Sequence, residues 1–139
     1  MILPAFNYFG VIFVLGFLLG TMRAIWLSPA TDATSAVLIE LPLMLAASGY
    51  VARRIVRQRG MGVPAALGMG AIAFVLLMAA DAGLALLLEG RDPAAWAADL
   101  LRTPGWIGLA GQVIFALLPA LIAFPGAPAP RRPVRPPEN

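Results

Sequence analysis

Cysteine and histidine are both absent from this 139-residue chain, and all ten of its basic residues are arginine. Without cysteine there are no disulfides, thiolate nucleophiles or iron–sulfur ligands. Without histidine there is no His-ligated haem, and the two absences together exclude Cys/His zinc sites. The commonest general acid/base near neutral pH is missing as well. No Asp/Glu cluster has the spacing of a metal site, and Gly60, Gly62, Gly68 and Gly70 are followed by no Lys-Ser/Thr that would make a phosphate loop. The expectation is a protein without a cofactor, and not an enzyme.

Charge is also scarce, at 12% of residues against 60% hydrophobic, with a mean hydropathy of +0.86. A soluble domain of this length cannot hide so much apolar surface, because much of its area must face water. Lipid is the solvent that fits. The net charge of +3 belongs to arginines beside apolar runs, which argues for membrane topology and against nucleic-acid binding.

Four apolar stretches are long enough to span a bilayer, at about 4–27, 34–52, 63–88 and 105–124. The first lacks a charged n-region and is too long for a secretory signal, so it reads as a retained helix. Ser28 to Asp32 reads as a turn, and the second span stops at the run Arg53-Arg54-Ile55-Val56-Arg57-Gln58-Arg59-Gly60. Between the last two spans, Asp92 suits an N-cap and Pro93 a first helical position. Residues 94–102 therefore read as a short interfacial helix. The predicted fold class is all-α, a four-helix transmembrane bundle occupying 1–124. A disordered Pro/Arg-rich cytoplasmic tail is expected over 125–139.

Orientation follows from the arginines. Arg53, Arg54, Arg57 and Arg59 share one side with Arg131, Arg132 and Arg135, whereas the other side holds Arg91 and Arg102 among four acids. The positive-inside rule then places both termini in the cytoplasm of a bacterial inner membrane. Trp26, Trp96 and Trp106 fall at the opposite interface, where an indole keeps its N–H wet, and Tyr8 and Tyr50 fall nearer the inner one.

Polar residues inside a span are costly enough to count as candidates for function. Arg23, Glu40, Asp81 and Gln112 come one from each span and sit at similar depth in the outer half. Arg23 and Glu40 belong to antiparallel neighbours and are expected to pair. Asp81 is left without a counter-charge, and Gln112 is placed to donate to it. Gly16 and Gly20 share a face with Arg23, and Gly105, Gly108 and Ala116 with Gln112. Ala36, Ala47 and Ser48 lie near the face of Glu40, and Gly70 and Ala85 near that of Asp81, so these faces are expected to meet other helices closely. Pro42, two residues after Glu40, removes a backbone donor beside the cluster.

The stretch Gly16-Phe17-Leu18-Leu19-Gly20-Thr21-Met22-Arg23, followed by Leu38-Ile39-Glu40-Leu41-Pro42-Leu43-Met44-Leu45-Ala46, resembles a group of uncharacterised four-span proteobacterial membrane proteins. The resemblance covers about residues 9–124 and implies topology but no activity. Two functions compete on the sequence. The first is an accessory protein acting through helix contacts, as a homo-oligomer or a subunit of a membrane complex in the lipid bilayer. The second is a small oligomeric transporter or channel using Glu40 and Asp81 for proton or cation coupling.

Overall fold

Apolar runs bounded by caps and glycines produce five α-helices in the computed structural model, which describes residues 2–27 and 32–124. Helix α1 (Ile2–Met22) gives way to a π-helical turn (Arg23–Leu27) where the first charge arrives. Helix α2 (Ala33–Arg59) starts at Asp32, whose carboxylate accepts from the Ser35 N–H at 3.1 Å and the Ser35 hydroxyl at 2.7 Å. It ends at Gly60, whose φ of 59° and ψ of 39° let the following Met61 N–H reach back to the Val56 carbonyl at 3.0 Å. Helix α3 is Val63–Leu88, the short α4 is Pro93–Asp99, and α5 is Gly105–Ala123. Of the expected turn at 28–32 only Asp32 is among the described residues, and the expected tail at 125–139 lies outside them.

Two helix ends add detail to the sequence reading. Helix α2 runs on past the end of the apolar span, through the arginine run to Arg59. Arginine is a good helix former, and a helix ends where its hydrogen bonding is broken, here at Gly60, rather than where hydrophobicity fades. Its 27 residues make a helix of about 40 Å, longer than a hydrocarbon core of about 30 Å. As expected, Asp92 is the N-cap residue of α4 and Pro93 opens the helix; the Asp92 side chain makes no capping bond, and the helix ends at Asp99 rather than at 102.

Short connections alternate the direction of the four long helices. Helix α1 packs on α2 and α3, and α5 packs on the same two, which closes the ring α1–α2–α5–α3. Helix α5 is seated by glycines: a Cβ at Gly70 of α3 would overlap the Ala116 carbonyl, and one at Gly111 would overlap the Leu41 side chain. The buried core is Ala5, Tyr8 and Ile12 of α1, Ala52 and Val56 of α2, Ala66, Met69 and Ala73 of α3, and Phe115 of α5. These residues belong to the half of the bundle nearer the arginine run. The half bearing Trp26, Trp96 and Trp106 is not closed in the same way. We call the two the arginine end and the tryptophan end.

Candidate functional site

Between the helices at the tryptophan end lies a cavity of about 970 Å³. Its mouth is lined by Glu89, Arg91 and Trp96. Arg91 is held at 2.8 Å from both Glu89 and Asp99, so the loop after α3 is braced against the end of α4. Its floor is Ile12, Ser48 and Phe115, all but fully buried. Each of Arg23, Glu40, Asp81 and Gln112 lines the space between.

The four polar residues form two pairs. Arg23 Nη1 donates to Glu40 Oε2 at 2.8 Å, with the guanidinium side chain 40% exposed and the carboxylate 20%. The π turn begins at Arg23, so the guanidinium leaves α1 where the ladder is already loosened. Gln112 Nε2 donates to Asp81 Oδ2 at 2.5 Å, joining α5 to α3. Among the described residues no cation lies within salt-bridge distance of Asp81. The Gln112 Oε1 atom is buried and has no hydrogen-bond partner among them.

The small residues on these faces divide into two groups. Gly16, Gly20, Gly108 and Ala85 line the cavity rather than a tight helix contact. A Cβ at Gly20 or Gly108 would meet nothing within 4 Å, and one at Gly16 would touch only the flexible end of Met44, at 3.1 Å. Glycine here widens a space. The expected close approach is found at Gly70, where a Cβ would overlap the Ala116 carbonyl, and Gly111 adds another against the Leu41 side chain.

Sequence reasoning missed the floor. Tyr8 was expected near an interface but is fully buried, its ring stacked on Phe115 with centroids 4.4 Å apart. Its hydroxyl donates to the Phe115 carbonyl at 2.9 Å. That carbonyl is free because its helical partner would be the N–H of residue 119, and residue 119 is proline. A proline four residues after a mid-span carbonyl was the signal available, since lipid supplies no replacement donor. Ser48, also buried, spends its hydroxyl on the Met44 carbonyl at 2.7 Å. The polar groups at the floor are thus satisfied within the chain, whereas those in the cavity are not all spent.

Four apolar helices of bilayer-spanning length, with the fifth short and lying between the last two, define a small multi-pass membrane protein. Compared with family models, with curated proteins and with solved structures, the chain matches none.

Proposed function

We propose that this is a bacterial inner-membrane protein with cytoplasmic termini that takes a small ligand from the periplasmic side into a vestibule, as the binding half-site of a small transporter. The observation that carries this reading is the cavity lined by polar residues from all four long helices. A protein whose polar layer served only as a helix latch has no need of an opening around it. Packing would close the space, because an empty or wet cavity forfeits dispersion contacts. The closed floor of Ile12, Ser48 and Phe115 sets the direction of access, and the positive-inside rule gives that direction its name. Four helices bound a half-open vestibule, so passage to the other side requires movement at the floor or a second copy of the chain. The lipid bilayer is its solvent, and neither a cofactor nor an enzymatic step is part of the proposal.

The natural absence of cysteine makes the test clean. Single substitutions Leu84→Cys in the cavity wall and Ala73→Cys in the core are exposed to a membrane-impermeant thiosulfonate added from the periplasmic side. Leu84→Cys is expected to react and Ala73→Cys to resist. Protection of Leu84→Cys would return the protein to the accessory reading, with its polar layer a latch between helices.

A further inference from the structure

The polar groups of the vestibule fall into two pairs of different character. Arg23 gives one of its N–H groups to Glu40 at 2.8 Å, so this pair carries its own counter-charge. Gln112 has given an N–H to Asp81, and its buried Oε1 accepts from nothing among the described residues. Asp81 has no cation within reach among them. The Asp81–Gln112 pair, on adjacent helices α3 and α5, therefore holds a carboxylate without a counter-charge among the described residues. An anion brought there would meet like charge, and a neutral hydroxyl would offer one hydrogen. An ammonium offers three and a positive charge.

Size and walls narrow the class further. A space of about 970 Å³ is far larger than a bare ion needs, given that a water molecule's share of liquid is about 30 Å³. Its lining near Asp81 is apolar, with Leu77 and Leu84 on α3 and Phe115 below. Apolar walls around a few placed polar groups are what a ligand with a hydrocarbon body and a polar tip requires. We infer that the vestibule binds an ammonium group carried on an apolar body, with Asp81 receiving its N–H groups and Gln112 holding that carboxylate in place. The inference rests on the vestibule reading above and names its ligand class.

Such an ammonium comes either from a soluble alkylamine or from an ethanolamine lipid headgroup, and one experiment separates them. The full chain is placed in phosphatidylcholine nanodiscs and titrated calorimetrically with n-hexylammonium, hexanol and hexanoate, with empty nanodiscs as the blank. Hexylammonium is expected to bind about tenfold or more tighter than hexanol, as a charge-assisted hydrogen bond implies, and hexanoate weakest. Asp81→Asn should erase that preference and Gln112→Leu should reduce it. Replacing the lipid with phosphatidylethanolamine should weaken hexylammonium if the headgroup occupies the site and leave it unchanged if a soluble amine does. Either result supports the ammonium. Equal binding of hexanol, tighter binding of hexanoate, or no binding of any probe overturns it on the unmodified protein, without recourse to variants. If Leu84→Cys still labels in that case, the vestibule stands and only its ligand class falls.

Discussion

At the scale of single residues, the membrane interior turns one missing N–H into a structural requirement. Pro119 leaves the Phe115 carbonyl without its helical donor, and the Tyr8 hydroxyl crosses the bundle to supply one at 2.9 Å. Tyr8→Phe keeps the stacked ring and loses only that bond, so it should destabilise the bundle by about 1–2 kcal/mol. Pro119→Ala restores an N–H to the helix, and in that background Tyr8→Phe should cost less, by about 1 kcal/mol. A double-mutant cycle in denaturant unfolding reads the difference, and strict additivity would mean that the two residues are unconnected. This is also where sequence reading ran short. Tyr8 carries the same amphipathic ring as an interfacial tyrosine, and whether it meets lipid or a neighbouring helix depends on how helices pack, which periodicity does not encode. The pairing of Arg23 with Glu40 was legible, by contrast, because two charges at matching depth on helices joined by a short turn have few other ways to lower their cost in lipid.

At the scale of the helix, ends and contacts are controlled by a few atoms. Asp32 is the clearest end: hydrogen bonds from the Ser35 hydroxyl, and then from the Ser35 backbone N–H, hold its carboxyl below the ordinary aspartate value of 3.8. A depressed value in the folded state means that the cap stabilises α2 above the unfolded value and loses that contribution as pH falls through the folded one. Amide exchange at Ser35 should therefore accelerate below the ordinary aspartate range, and Asp32→Asn should flatten that dependence. The contact of α3 with α5 gives a second prediction. Gly70→Ala drives a methyl into the Ala116 carbonyl and should cost about 1–3 kcal/mol, because the obstacle is backbone. Gly83→Ala, with nothing within 4 Å of its new carbon, should change stability by less than about 1 kcal/mol. Equal effects in thermal unfolding would remove the argument that α5 is seated by glycine. The sequence marked glycines as contact points in general, but a glycine that admits a neighbouring backbone and one that enlarges a cavity look alike until the helices are placed.

The whole molecule divides into a closed arginine half and an open tryptophan half. The four spans were readable because run length and charge placement are one-dimensional properties. The vestibule was not, because an opening depends on the separation of helices far apart in the chain. Its orientation has a prediction of its own. Helix α2 outlasts the hydrocarbon core, and its last turns carry Arg53, Arg54, Arg57 and Arg59, all exposed and outside the buried core. They therefore contribute little to packing, and in the proposed orientation their work is in insertion. In the natural chain the two sides hold seven and two flanking arginines; with these four replaced by glutamine the count becomes three, from Arg131, Arg132 and Arg135, against two, from Arg91 and Arg102. A bias that small no longer selects one orientation. The reporter Ala94→Cys, in exposed α4, should label only from the periplasmic side in the natural background. In the R53Q/R54Q/R57Q/R59Q background it should label from both sides, while circular dichroism shows the helices intact. Single-sided labelling of the quadruple variant would mean that insertion is directed by something other than the arginine end. The direction in which the vestibule opens would then need a different physical cause.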